Sequence, residues 1–251
     1  MPALFDGVAD HYDRARPSYP DGIYDALDAE LDGLSGKVVV DLGAGTGIAS
    51  RQLLARGAQV IALDLAEQMI RRARRADPPT PSAVADGCAV PLRSGCAELV
   101  SFAQSWHWFD VARTAPEIVR VLVPGGLWAA WWSHPRADGE EWFEALQALL
   151  ERACPSYSRQ HRNTGNRTWE DEPVGATGLF RTGRKVIVAW AREVSCHDWI
   201  LETRSTSYVS ALDPGAREIL ISAIDQVIAG GFPSGRMRVP YSTHVWMARA
   251  A

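Results

Sequence analysis

The run Val38-Val39-Val40-Asp41-Leu42-Gly43-Ala44-Gly45-Thr46-Gly47 decides how this chain folds. Its apolar residues read as a buried β-strand, and the glycines after them as a tight loop that opens a helix. Glycine tolerates dihedrals barred to other residues and lets a ligand approach the backbone closely. Asp41 stands at the end of the strand, ahead of the loop. A carboxylate at that mouth repels a pyrophosphate and favours an ammonium or a hydroxyl. The loop therefore suits a cationic nucleoside that carries an amino acid, a description that S-adenosylmethionine meets.

Outward from this run, short apolar strands alternate with helical stretches. Strands are expected at 37–42, 59–63, 82–85, 97–103 and 127–132. Helices are expected at 47–56, closed by Gly57, and at 66–76, ended by Asp77-Pro78-Pro79. A third helix carries Ile118, Val119 and Leu122 on one face and stops at Pro124-Gly125-Gly126, with Pro116 in its first turn. Such alternation implies a parallel sheet with right-handed crossovers. Beyond residue 133 the rhythm changes. Residues 140–153 form an amphipathic helix with Trp142, Phe143, Leu146, Leu149 and Leu150 on one stripe. The polar stretch 155–184, with Arg159, Arg162, Arg167 and Arg181, reads as loops with short helices. A strand at 185–194, helices at 198–210 and 214–229, and a strand at 238–249 complete the chain. The last helix has Asp213 as N-cap, Pro214 at its first position and Gly230 just past its end. The two final strands read as an antiparallel pair at the sheet edge.

A length of 251 residues allows one large α/β domain, or one domain with a sizeable insertion. The net charge of −4 argues against a nucleic-acid partner. Cys88, Cys96, Cys154 and Cys196 lack C-x-x-C spacing, which suits reduced thiols and not a metal site. The N-terminus lacks the pattern of a signal peptide, and the longest apolar segment, 121–132, is too short and broken to span a bilayer. A cytoplasmic protein with a small-molecule partner, no membrane or nucleic-acid partner and no metal, present as a monomer or homodimer, is expected. Ten tryptophans, several near strand ends, either pack the core or wall a pocket.

Six motifs occur in order: His11-Tyr12-Asp13 through Arg16-Pro17-Ser18-Tyr19-Pro20, residues 41–47, Leu63-Asp64, Ala85-Asp86-Gly87, Gln104-Ser105-Trp106-His107-Trp108-Phe109-Asp110, and Arg120-Val121-Leu122-Val123-Pro124-Gly125-Gly126. In these the chain resembles the class I S-adenosylmethionine-dependent methyltransferases, and among them the small-molecule group with trans-aconitate and ubiquinone/menaquinone methyltransferase relatives. The resemblance covers the first 135 residues well and the rest loosely. It implies an α/β, doubly wound, seven-stranded sheet of Rossmann-like methyltransferase type, its last strand antiparallel, with a helical cap inserted after the fifth strand. It also implies a single domain over 1–251. Within that domain it places a lid at 1–30, a cofactor-binding core at 31–133, an insertion over the acceptor pocket at 134–184, and closing strands and helices at 185–251.

Position by position, the resemblance implies that Asp41 and the backbone of Gly43, Ala44 and Gly45 hold the methionine part of the cofactor S-adenosyl-L-methionine. Asp64, with Leu65 beside it, takes the ribose hydroxyls, since a carboxylate accepts two O–H donors at once. Asp86, Gly87 and Cys88 meet the adenine edge, Gln104 lines the methyl side, and Tyr12 and Arg16 cover the cofactor carboxylate. Each position has an ordinary alternative: the aspartates as helix or turn caps, Tyr12 as lid packing, Arg16 as a solvated surface residue. Displacement at an activated methyl carbon needs alignment above all, and a base only where the acceptor must lose a proton. His107 and His134, each following a strand, are the candidate bases, with hydrogen-bonded packing as the alternative. The segment 159–167 is either an anion-binding loop or a solvated one. The rival readings are a nicotinamide-dependent oxidoreductase, whose third glycine should fall where Ile48 stands, and a non-catalytic cofactor-binding protein.

Overall fold

The structure, a computed structural model, describes residues 18–157 and 172–251. Tyr12, Arg16, Arg159, Arg162 and Arg167, all singled out above, lie outside the described residues. The first elements are α1 (Asp21–Leu31), β1 (Val38–Leu42), α2 (Ile48–Ala55), β2 (Gln59–Asp64), α3 (Glu67–Arg74) and β3 (Ser82–Val84). After them come β4 (Ala97–Ala103), α4 (Val111–Val121), β5 (Leu122–Pro135) and α5 (Glu141–Ala153). The chain ends with β6 (Arg184–Ser195), α6 (Cys196–Arg204), α7 (Ser207–Ser210), α8 (Pro214–Gly231) and β7 (Arg236–Arg249). No described helix is long and apolar enough to cross a membrane.

One seven-stranded sheet runs in the order β3-β2-β1-β4-β5-β7-β6. The pairs among β1 to β5 are parallel, whereas β7 runs antiparallel to both β5 and β6. This is the expected sheet, with its last strand reversed. Strand order turns back between β1 and β4, and the crevice above that reversal is where an open α/β sheet binds ligands.

Period-two alternation along β5 explains how both sheet faces are covered. Trp128 and Ala130 enter the core that also holds Val40, Phe102, Trp106 and Ile118. Leu127, Ala129 and Trp131 enter the opposite core, with Val39, Leu53 and Leu99. There α1 inserts Ile23, Tyr24 and Leu27, all fully buried. A third core joins α5, α6 and α8 to the ends of β6 and β7 through Leu146, Trp199, Ile224, Ile228 and Val239.

Five expectations need correction. The helix α4 starts at Val111 behind its N-cap Asp110, so Pro116 lies inside it and not in its first turn. Leu122 opens β5 and does not lie on that helix. The Pro124-Gly125-Gly126 turn does not delay the strand either, because the pairing register shifts there. Leu122 faces Ala97 and Leu127 faces Leu99, so the extra residues are taken up as an irregularity of β5. The helix expected at 198–210 breaks in two, as the hydroxyls of Ser205 and Thr206 bond back to the carbonyls of Glu202 and Thr203. Finally, α8 continues through Gly230 to Gly231, where a Cβ would sit 3.3 Å from Trp142.

Candidate functional site

Both main-chain direction and sequence place the glycine loop at the carboxyl end of β1. Gly43, Gly45 and Gly47 all have positive φ. At Gly43 the constraint is double, because a Cβ would meet the Ser105 Cβ at 2.6 Å. Four of the loop's N–H groups are satisfied from within. Those of Gly43 and Ala44 donate to the Leu63 carbonyl at 2.8 and 3.1 Å, that of Gly47 to the Ala44 carbonyl at 3.0 Å. Gly45 donates to Asp64 Oδ2 at 2.8 Å. A loop that cradles phosphate turns such groups outward to the anion. These face inward, and acids stand behind them.

Asp41 lies beneath the loop and does not line the crevice. It is fully buried, and its carboxylate accepts from Ser50 Oγ at 2.5 Å and from Ser101 Oγ at 3.0 Å. Ser101 is also its register partner on β4. Burial pushes this carboxyl up to about 6, against the pull of the two serine hydroxyls and with a further push from Asp64. Asp64 accepts the N–H of Ala66 on Oδ1 at 2.8 Å, besides that of Gly45 on Oδ2. Burial raises its carboxyl, and these backbone donors pull it back down. The carboxylate keeps acceptor capacity beyond these donors.

A cavity of about 510 Å³ opens over the ends of β1, β4 and β5. It brings together Gly43, Ala44, Gly45, Gln104, His107 and His134 from the positions read in the sequence. Gln104 has φ of +57°, rare for a residue with a side chain, and its Nε2 reaches the Ser133 carbonyl at 3.4 Å. Such strain persists where the surroundings impose it, often at a ligand. Leu65, Asp86, Gly87 and Cys88 lie outside this cavity. Leu65 is 55% exposed, an apolar surface beside Asp64. Asp86 caps its own turn by accepting the Cys88 N–H at 2.9 Å. Gly87 has no room for a side chain, since a Cβ would lie 2.3 Å from Phe109.

The neutral imidazole of His107 has a defined tautomer. Its Nδ1 accepts the Trp132 indole N–H at 3.3 Å, which leaves the ring proton on Nε2. Its outer edge is exposed, while desolvation of the rest of the ring lowers its pKa below the ordinary imidazole value. In this arrangement His107 offers a donor at Nε2, and to act as a base there it must first give up its contact with Trp132. His134 lines the cavity from the end of β5.

Other cavity residues carried no sequence signal. Glu172 is 2% exposed and accepts the Trp106 indole N–H at 3.0 Å. Glu202 on α6 pairs with Arg192 on β6. Tyr157, Trp199, Tyr208 and Tyr241 supply aromatic walls. No motif marks these four aromatics, which the third core assembles.

Residues 40–130, from β1 into β5, match the family model described as a methyltransferase domain. Among curated relatives, an uncharacterized methyltransferase of Mycobacterium tuberculosis is 36% identical over 152 residues, 61% of this chain and 60% of the relative. The demethylmenaquinone methyltransferase of Corynebacterium kroppenstedtii is 31% identical over 128 residues, 49% of this chain and 55% of the relative. The chain thus spans about three fifths of the length of the curated relatives it matches. A solved structure from Anaeromyxobacter dehalogenans, described provisionally as a type II methyltransferase, superposes with a TM-score of 0.68 at 22% identity. It covers 94% of this chain and 97% of its own, and the likeness establishes the fold.

Proposed function

We propose that this chain is an S-adenosylmethionine-dependent methyltransferase acting on a small-molecule acceptor, with a hydroxyl oxygen the first acceptor to test. One observation carries the reading: the glycine loop spends four of its N–H groups internally and is backed by Asp41 and Asp64. Such a loop disfavours a pyrophosphate and suits a cationic ligand. The match over residues 40–130 supports the same conclusion.

When bound, the cofactor supplies a methyl group made electrophilic by its sulfonium. The chain's part is alignment in a space shielded from water. Gly43 to Gly45 allow close approach to the methionine part, and Asp64 offers its remaining lone pairs to the ribose hydroxyls. Leu65 and the turn at Asp86, Gly87 and Cys88 form the adenine side. Gln104 sits at the methyl side. His107 presents its Nε2 proton to the acceptor. Residues 134–184 act as the insertion over the acceptor, a role supported by Phe143, Leu146, Leu150 and Tyr157 on the cavity wall.

The test is calorimetric titration of the full chain with S-adenosylmethionine and, separately, with NAD. Binding of the first alone is expected. Asp64→Ala is expected to weaken it by about 1.5–3 kcal/mol, the range for losing a charge-assisted hydrogen bond. Binding of NAD without S-adenosylmethionine would overturn the reading in favour of an oxidoreductase. An affinity unchanged in the Asp64 variant would remove that residue from the site.

A further inference from the structure

We propose that Glu202 is the recognition group for the methyl acceptor, and that the cavity takes a small molecule presenting an N–H or O–H group in preference to a carboxylate or phosphate. The proposal rests on the methyltransferase reading and adds the chemical class of its acceptor.

The break between α6 and α7 is the starting point. It places Glu202, Thr203, Thr206, Ser207 and Tyr208 on one wall of the cavity. Arg192 stands behind Glu202 and engages Oε2, with both side chains largely buried, 13% and 14% exposed. The other oxygen, Oε1, takes no donor among the described residues. A largely buried carboxylate with one oxygen open to the cavity gains from a donor that reaches it.

The neighbouring hydroxyls point to the same class of ligand. Thr203 Oγ1 donates to the Trp199 carbonyl at 2.9 Å, and Thr206 Oγ1 to the Thr203 carbonyl at 2.7 Å. Their protons are spent on the helix, so they offer the cavity only lone pairs. Glu172 adds a second carboxylate to the lining. Among the described residues that line the cavity there is no lysine and no arginine. The wall is therefore rich in acceptors and poor in cations. A carboxylate or phosphate placed against Glu202 would meet like charge with no lysine or arginine on the described lining to offset it, whereas an amine or alcohol completes the open oxygen. Trp199, Tyr208 and Tyr241 give the same ligand flat apolar surface.

The experiment uses the full chain saturated with S-adenosylhomocysteine and titrated with benzylamine, benzyl alcohol and benzoate, which share one ring and differ in the polar group. Benzylamine and benzyl alcohol are expected to bind about ten-fold or more tightly than benzoate, the effect of one hydrogen bond to a charged group. Glu202→Gln is expected to weaken benzylamine by about ten-fold and to narrow the gap to benzoate. Because that change removes the negative charge opposite Arg192, the double variant E202Q/R192Q, which removes both charges, is measured alongside and should show the same loss. Benzoate binding as tightly as the other two, no binding by any probe at millimolar concentration, or an order unchanged in the variants would each overturn the proposal. Failure of S-adenosylhomocysteine itself to bind would instead sink the methyltransferase reading on which it stands.

Discussion

Asp41 carries its carboxyl into the interior, where two serine hydroxyls hold it. The consequence for stability follows from its shift. Its pKa of about 6 stands above the ordinary 3.8. Between those values the folded protein keeps a proton that the unfolded chain has released, so stability falls as pH rises through this window and stays lower above it. Two units correspond to about 3 kcal/mol. Asparagine at this position has no charge to desolvate, and the serine hydroxyls can reorient to satisfy it. Asp41→Asn is therefore expected to gain about 3 kcal/mol relative to the parent between pH 4 and pH 8, measured by urea denaturation across that range. A difference that stays flat with pH would mean that Asp41 does not titrate there. In the proposed function the cationic cofactor offsets the cost of this charge on binding. Asp41 was legible as an acid before a glycine loop; that it sits under the loop was not, because Ser50 and Ser101 come from two other elements.

Among elements, the β1–loop–α2 unit was read from sequence almost to the residue, since alternation, glycine spacing and a C′ glycine at Gly57 all agree locally. The strand β4 was read without error for the same reason. The misreadings have separate causes. Pro116 is tolerated inside α4, where it is exposed, and the register shift of β5 is absorbed opposite β4. The break between α6 and α7 depends on side chains bonding back to their own helix. The loop itself supplies the prediction at this scale. A side chain at Gly43 would have to adopt φ of +68° and meet Ser105 at 2.6 Å. Left-handed backbone costs about 1–2 kcal/mol for an ordinary residue, before any clash. Gly43→Ala is expected to lose at least that much stability by urea denaturation and to weaken S-adenosylmethionine binding in calorimetry. Full affinity in a destabilised variant would show that the ligand does not depend on this loop's shape.

At the scale of the whole molecule, two cores sandwich the sheet and a third caps one end of it. The glycine-loop side of the cavity belongs to local sequence and was readable. The opposite wall was not, because Glu172, Glu202 and Tyr208 share no spacing and come together only in the folded chain. The most telling long-range joint is Trp131. It is fully buried on β5, and its ring meets Tyr19 edge-on at 5.8 Å and Tyr24 at 6.4 Å. Tyr19 is in turn clamped by Gln52 of α2, which accepts its N–H at 3.0 Å and donates to its carbonyl at 2.8 Å. One side chain thus ties the start of the described chain to the middle of the sheet and, through Gln52, to the helix after the glycine loop. Trp131→Ala is expected to cost about 3–5 kcal/mol, the range for emptying a buried aromatic site. Trp131→Phe, which keeps a ring against both tyrosines, is expected to lose less. Urea denaturation of both variants measures this, and calorimetry with S-adenosylmethionine on the milder one separates scaffold from site. A loss below about 1 kcal/mol for the alanine variant would show that α1 is held by other contacts than this joint, since filled aromatic cores do not give up a ring so cheaply.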